Sequence, residues 1–255
     1  MNLAGKKVLV VGAGKSGQGA IRRLKALGAQ VILTDGAPPE KLSGLAELGL
    51  KKEEMVLDKS PKWEEVKADL IVLSPGVPPT LPFIQKGKAE GVPVWSEVEM
   101  ALRDHPSFKI GVTGTNGKTT TTTLLGKLAK RTGKSTLVAG NIGVALSSQV
   151  GELPDEGIVV AELSSFQLEL IDNLRFQVGI FLNVTPDHLD RHGTIENYVE
   201  AKSRIFKNQM EEDCAILNWD DPLVRALAPG LKSRIIFFST TKLLEDGYSL
   251  RGEEI

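Results

Sequence analysis

The sequence is poor in the residues that build several kinds of site. Its 255 residues hold one cysteine, three histidines, two tyrosines and three tryptophans. A lone Cys214 excludes a disulfide framework and any cysteine-based zinc site. With His105, His188 and His192 alone, a multi-histidine metal centre is not expected. Aromatic residues make up 5%, which leaves little for base-stacking platforms. Neither sign of charge dominates: 31 Lys and Arg face 32 Asp and Glu, a net charge of −1. That balance argues against attachment to nucleic acid or an anionic membrane by bulk charge. No apolar run approaches 18 residues and no signal peptide is visible, so a cytoplasmic location is expected. With 41% hydrophobic and 25% charged residues the chain is not disordered, and its length suits one large or two modest domains.

Short β-branched runs alternate with longer amphipathic stretches. Val8–Val11, Val31–Leu33, Leu70–Leu73, Ile110–Val112, Ile158–Val160 and Val178–Leu182 are almost continuously apolar, as strands buried on both faces must be. Between them, Gln18 to Leu27 places Ile21, Leu24 and Leu27 on one helical face, with Gly28 as a stop. Thr119 to Thr132 carries Leu124, Leu125 and Leu128 before Gly133. The alternation implies an α/β fold with parallel sheets and right-handed crossovers. A polar, proline-containing segment at 103–108 marks a boundary, dividing the chain into residues 1–105 and 106–255. Residues 234–250 read as a strand, a polar turn and a further strand within a tail that turns polar from Ser239.

Each half opens with a glycine loop between a strand and a helix. Gly12-Ala13-Gly14-Lys15-Ser16-Gly17 is G-x-G-x-x-G, with Asp35 closing the second strand. Such a turn aims helix N–H groups at a phosphate, and a carboxylate at the second strand's end can accept from a ribose hydroxyl. The residues leave open a dinucleotide, another phosphate-bearing ligand, or a tight turn that binds nothing. Ser74-Pro75-Gly76 follows another strand and reads either as a rigid ligand-touching loop or as a stiff turn. The second loop is Gly114-Thr115-Asn116-Gly117-Lys118-Thr119-Thr120. Its backbone can cradle nucleotide phosphates, Lys118 can pair with the β- and γ-phosphates, and the Thr119 hydroxyl can meet Mg²⁺. The spacing departs from the usual phosphate loop, because Val112 stands where a glycine is expected.

Two more strand ends carry chemistry. Glu162 follows Ile158–Val160, where it reads as a metal ligand or as a helix N-terminal charge. Asp187 and His188 follow Val178–Leu182. Convergence of a carboxylate, an imidazole and a phosphate loop on one sheet edge indicates a site more strongly than any of them alone. His192 and His105 read as ordinary satisfied polar residues. Lys202, on a helix expected from Ile195 to Asn208, reads from composition as a solvated lysine no different from Lys207.

Taken together, the Gly114–Thr120 loop, Gly140-Asn141-Ile142-Gly143, the string Glu162 to Leu168, the string Asn183 to Asp190 and Tyr198-Val199-Glu200-Ala201-Lys202 resemble the Mur ligases of peptidoglycan synthesis. The Glu162–Leu168 string and the Asn-Ile-Gly loop are most similar to the members that join D-glutamate to UDP-N-acetylmuramoyl-L-alanine. The resemblance implies a Rossmann-like first domain that holds the UDP end of the substrate, through Gly14, Lys15, Ser16, Asp35, Ser74, Pro75 and Gly76. It implies a second, ATP-binding domain of the phosphate-loop NTPase type. There Gly114 to Thr120 bind ATP, and Asn141, Ser164 and His188 touch the substrate nearer the reaction. Thr119 and Glu162 would hold one Mg²⁺. His188 and Lys202, the latter as a carbamate formed with CO₂, would serve a second. Lys118, Glu162, His188 and Lys202 are thereby the expected catalytic set, and a monomer is expected. Members of the family continue with the rest of the central domain and a third, D-glutamate-binding domain. Against that pattern the chain is expected to be a fragment, inactive on its own. A folylpolyglutamate synthase-like ligase, a related Mur ligase and a non-catalytic nucleotide-binding module are the competing readings. An oxidoreductase would have no use for Lys118, Glu162 or His188.

Overall fold

The computed structural model describes residues 2–250; Met1 and residues 251–255, the end of the expected second domain and of its polar tail, lie outside the described residues. The chain forms two compact units, each on its own parallel sheet. The division falls after His105, but Gly143–Glu152 and Leu170–Asp172 fold with the first unit. A single cut near residue 105 misses these two returns, which polar side chains far away in sequence hold in place.

The first unit contains β1 (Lys7–Val11), α1 (Lys15–Ala26), β2 (Gln30–Asp35), β3 (Met55–Leu57), α2 (Trp63–Val66), β4 (Leu70–Leu73), α3 (Pro82–Ala89), β5 (Val94–Ser96) and α4 (Glu97–Leu102). The strand order is β3-β2-β1-β4-β5 with every pair parallel. Residues of β1 serve two cores. Val8 and Val10 pack with Ile21 and Leu24 of α1, and Leu9 and Val11 pack with Trp63, Phe83 and Ile84. Burial on both faces is why these strands are apolar without alternation. Leu27, expected on the buried face of α1, lies beyond the helix end and is exposed.

Helix α4 fastens both returns. Glu97 Oε1 accepts from the Ser147 backbone N–H at 2.6 Å, and Glu99 Oε2 accepts from that of Asp172 at 3.1 Å. Burial pushes the Glu97 carboxyl pKa upward, against the smaller effect of its hydrogen bonds to Ser147. An acid whose pKa is higher folded than unfolded loses stability as pH rises from the unfolded value, about 4.3, through the folded one. Glu97→Gln keeps an acceptor for Ser147 and removes the charge. It is expected to raise the first unit's melting midpoint at pH 8 by about 2–4 °C, with the gain vanishing near pH 4. Scanning calorimetry at the two pH values checks this; a gain that does not vary with pH would contradict a buried, uptake-linked carboxyl.

The second unit contains β6 (Phe108–Thr113), α5 (Lys118–Lys130), β7 (Thr136–Gly140), β8 (Ile158–Glu162), α6 (Ser165–Leu168), β9 (Val178–Phe181), α7 (Leu189–His192), α8 (Ile195–Ser203), β10 (Cys214–Asn218), α9 (Pro222–Arg225), β11 (Arg234–Ser239) and β12 (Tyr248–Ser249). The order is β12-β11-β10-β9-β6-β8-β7, again parallel throughout. Helix α8 stops short of the expected Asn208, because a 3₁₀ turn at Arg204–Phe206 follows it. That turn presses Ile205 and Phe206 onto Gly111 and Gly179, where an added Cβ would come within 2.8 Å of them.

Two of the three leucines of α5 face outward. Leu124 and Leu128 are 56% and 50% exposed, while Thr122, Gly126 and Ala129 are buried and Leu125 is partly so. A Cβ on Gly126 would meet Val138 at 2.4 Å. The helix lies too close to the sheet for leucine at that interface, so its small residues face inward.

Both sheets have a point where the strand order reverses. In the first unit it lies between β1 and β4, in the second between β6 and β9. Crevices at the C-terminal ends of strands beside such points are where ligands bind in open α/β sheets.

Candidate functional site

In the first unit the crevice is walled by the turn after β1 and the loop after β4. Gly17 must be glycine, since a Cβ there would sit 1.8 Å from the Gly12 carbonyl oxygen. The N-cap of α1 is Gly14, with no capping side chain and no acidic residue in the first turn. Its N–H groups and dipole are therefore available to an anion, and Lys15 stands exposed beside them. Asp35 and Ser74 have partners of their own. Asp35 accepts from Ala13 N–H at 2.7 Å and from Ala37 N–H at 2.8 Å, and the Ser74 hydroxyl donates to Gly12 O at 3.2 Å. Both side chains shape the glycine turn, so any ligand contact by Asp35 uses its remaining lone pairs. Gln18, which the sequence reading passed over, also braces the turn by donating to Ala13 O at 2.9 Å. Ser16 and Pro75 are half-buried beside the exposed Gly14 and Gly76.

In the second unit, register lines up the rim. Val112 of β6 pairs with Glu162 of β8, which pairs with Gly140 of β7. Glu162 is 2% exposed, and its carboxylate takes two donors, Thr119 Oγ1 at 2.8 Å and Asn141 Nδ2 at 3.0 Å. Gly140 has φ +117°, and a Cβ on it would lie 2.2 Å from Glu162 O, so this position also demands glycine. That close approach lets Asn141 N–H bond Glu162 O at 2.9 Å and holds its side chain against the carboxylate.

The phosphate loop is tied to the strand-end loop of β9. Asn183 accepts from Asn116 N–H at 2.8 Å and donates to Asn116 O at 3.0 Å. Thr115 N–H donates to Asn183 O at 2.9 Å, and Thr185 N–H donates to Thr115 Oγ1 at 3.1 Å. Lys118 Nζ folds back onto Thr115 O at 2.9 Å. Helix α5 starts at Lys118 behind Gly117, with no side-chain cap and no acidic first turn. Thr120 is exposed on that first turn.

Lys202 is not a solvated lysine. It is 2% exposed, donates to Gly114 O at 3.0 Å and lies 4.5 Å from the centre of the Tyr198 ring. Burial, then the nearby charge of Lys118, lowers its pKa to about 7, with Asp187 opposing. Tyr198, one helical turn before it on α8, is buried and faces the same place. His188 is exposed, adopts a left-handed backbone (φ +51°) that costs about 1–2 kcal/mol, and has its ring nitrogen 3.5 Å from Asp187 Oδ2 and its ring centre 5.0 Å from that of Phe166. His192 is a satisfied polar residue: it shares a 2.9 Å hydrogen bond with Ser165 and stacks on Phe166. Burial and the charge of Arg191 lower its pKa. The Ser164 hydroxyl caps α6, accepting from Gln167 N–H and donating to its side chain. A substrate role for Ser164 must share that hydroxyl.

Expected residues 114–120, 141, 162, 188 and 202 thus belong to one rim of the second unit. Residues 14–16, 35 and 74–76 form a separate crevice in the first. Asn183, Tyr198 and Phe166 were missed as site residues. Asn183 is the one with a readable signal, being a polar residue two past the end of the strand beside the phosphate loop. No group of three or more His, Cys, Asp or Glu that could cage a metal exists among the described residues. The paired hydroxyl and carboxylate of Thr119 and Glu162 do suit Mg²⁺. That ion keeps waters and phosphate oxygens and takes only one or two protein oxygens. No helix among the described residues is long and apolar enough to cross a membrane.

Comparison with known proteins gives the family of both units. Residues 112–250 match the family described as Mur ligase middle domain, and residues 6–96 match Mur ligase MurD-like, N-terminal domain. The chain is 70% identical over its whole length to a UDP-N-acetylmuramoylalanine--D-glutamate ligase of Desulfitobacterium hafniense, covering 56% of that protein. It is 47% identical over 97% of its length to the enzyme of that name from Pelotomaculum thermopropionicum, covering 54% of it. The chain therefore spans about half the length of these relatives. Among solved structures, the fold resembles a UDP-N-acetylmuramate:L-alanyl-gamma-D-glutamyl-meso-diaminopimelate ligase from Neisseria meningitides, with TM-score 0.61 and 19% identity over 96% of this chain and 83% of that one. It also resembles a UDP-N-acetylmuramate-alanine ligase from Thermotoga maritima, with TM-score 0.54 and 23% identity over 93% and 53%.

Proposed function

This chain belongs to the Mur ligase family, and we propose that it forms the UDP-substrate- and ATP-binding part of a ligase that adds D-glutamate to UDP-N-acetylmuramoyl-L-alanine. The observation that carries the reading is the rim of the second unit. There a phosphate loop, the Thr119–Glu162–Asn141 set and a buried Lys202 lie along the C-terminal rim of a parallel sheet, beside its switch point. The names of the relatives at 70% and 68% identity supply the substrate.

In this reading the first unit holds the UDP end. The α1 N-terminus with Gly14, Lys15 and Ser16 takes the diphosphate, and Asp35 with Ser74-Pro75-Gly76 borders the uridine. In the second unit, residues 114–120 cradle ATP, and Lys118 leaves Thr115 O for the β- and γ-phosphates. Asn141, Ser164 and His188 orient the L-alanyl carboxylate. Thr119 and Glu162 would hold one Mg²⁺, and His188 with carbamylated Lys202 a second. Bound there, the ions neutralise charge on the phosphates. The carboxylate oxygen attacks the γ-phosphorus, the bond to the β/γ bridging oxygen breaks and ADP leaves. The D-glutamate amine then attacks the acyl phosphate carbonyl, phosphate leaves and the nitrogen gives up a proton to solvent. Lys118 counters the charge that builds on the bridge.

Calorimetry on the protein at its relatives' full length tests the proposal. Saturable binding of UDP-N-acetylmuramoyl-L-alanine and of Mg·ATP is expected, with ADP release that requires D-glutamate. Binding of NADH in place of the UDP substrate would overturn it. Nucleotide binding without D-glutamate-dependent ADP release would favour a non-catalytic module. The 255-residue chain alone is expected to bind the UDP substrate without turnover.

A further inference from the structure

The loop after β9 is gripped from two sides. On one side lies the phosphate loop, as described. On the other lies the end of β10 and the start of α9, which the proposed chemistry does not use. Asn218 Nδ2 donates to Leu182 O at 2.8 Å, and its carbonyl oxygen accepts from Asp220 N–H at 2.9 Å. Asp221 Oδ2 accepts from Val184 N–H at 2.7 Å. Its other oxygen caps α9, taking Leu223 N–H at 3.0 Å and Val224 N–H at 3.2 Å. Leu182 N–H completes the set by donating to Thr113 O at 3.0 Å. Asn183, which carries both bonds to Asn116, thus sits between two backbone groups fixed by Asn218 and Asp221.

We infer that Asp221, supported by Asn218, is a positioning residue for the nucleotide site: it sets the phosphate loop through the Asn183 loop without touching ATP. The inference rests on the ATP-binding reading above. A carboxylate suits this place because the two jobs need two acceptors at once. Asparagine offers one acceptor and turns its NH₂ toward the other donor. Serine is a good N-cap but too short to reach Val184 as well. Asp221→Ser therefore removes the grip and keeps the cap.

The test uses the full-length protein and Mg·ATP binding by calorimetry, with melting temperature and UDP-substrate affinity measured alongside. Asp221→Ser is expected to weaken Mg·ATP binding about 10-fold, as loss of an outer-shell partner does, with UDP-substrate affinity unchanged. Asn218→Ala, which takes the other handle, is expected to act in the same direction. In an Asn183→Ala background, which removes both side-chain bonds to Asn116 and leaves the backbone ties through Thr115, adding Asp221→Ser should cost clearly less Mg·ATP affinity than it does in the wild type. That non-additivity is what a purely structural role would not produce. An equal loss in both backgrounds, or unchanged affinity in Asp221→Ser, would overturn the inference. Wild-type protein that binds no Mg·ATP would instead sink the functional reading itself.

Discussion

Lys202→Ala in the full-length protein is expected to lower D-glutamate-dependent ADP release about 100- to 1,000-fold, the scale of losing one group that stabilises developing charge. Millimolar formate or acetate should restore part of the rate. A lysine that served only as a cation would have no reason to be rescued by an anion. The structure makes the carbamate chemically reasonable. CO₂ reacts with a neutral amine: a C–N bond forms and the nitrogen gives up a proton. Lys202 is buried against a backbone carbonyl and an aromatic face, and its pKa lies near 7. A lysine in water stays protonated to about 10.4 and would be a poor partner for CO₂ at neutral pH. The product exchanges a cation for two hard anionic oxygens, the donors Mg²⁺ prefers. Native mass spectrometry of the wild type, with one added CO₂ absent from Lys202→Arg, reports the group directly. A rate for Lys202→Ala that no short carboxylate improves, with no CO₂ adduct on the wild type, would remove the carbamate from the mechanism.

The contrast between Lys202 and Lys118 shows what could be read in advance. Lys118 lies in a loop whose glycines and threonines have a chemical reason for each position, so a phosphate-binding expectation could be drawn for it from the sequence. Lys202 differs from Lys207 only in where α8 packs, and nothing local in the sequence records that Gly114 and Tyr198 enclose it. Strand ends were legible for a similar reason. A continuous apolar run followed by Glu162 or Asn183 places those residues at a sheet rim whatever the tertiary fold. Helix faces were not. The leucines mark a helix within 119–132 without saying which side faces the sheet: Leu124 and Leu128 are exposed, and the closeness of Val138 requires Gly126 at the interface. The returns at 143–152 and 170–172 depend on Glu97 and Glu99 bonding backbone 50 and 73 residues away. The short strand β3 is three residues between polar stretches, and strands β7 and β10 alternate buried with half-buried positions, so none of them stands out as a buried run.

Glu162→Gln is the second change expected to be severe: a loss of about 100- to 1,000-fold in ADP release, with activity requiring more Mg²⁺ to appear. Each carboxylate oxygen of Glu162 accepts from a different donor, Thr119 Oγ1 and Asn141 Nδ2. Glutamine has one acceptor, so whichever way the amide turns, its NH₂ meets a donor. Turned toward Thr119, the NH₂ meets a hydroxyl that can rotate its proton away and accept; turned toward Asn141, it costs that bond unless Asn141 swings its side chain. Charge adds to this, because an amide replaces the anionic oxygen that a hard divalent ion seeks. Two controls separate the contributions. Glu162→Asp keeps the charge but is one methylene short, so its activity should appear at lower Mg²⁺ than that of Glu162→Gln while one of the two bonds is lost. Asn141→Ala removes one bond and leaves the carboxylate, and it should cost about 10-fold at saturating Mg²⁺. A Glu162→Gln enzyme that keeps more than a tenth of wild-type activity at the same Mg²⁺ concentration would show that Thr119 and Glu162 do not share a catalytic ion. The Thr119–Glu162 pair would then be read as the strut that joins α5 to the end of β8.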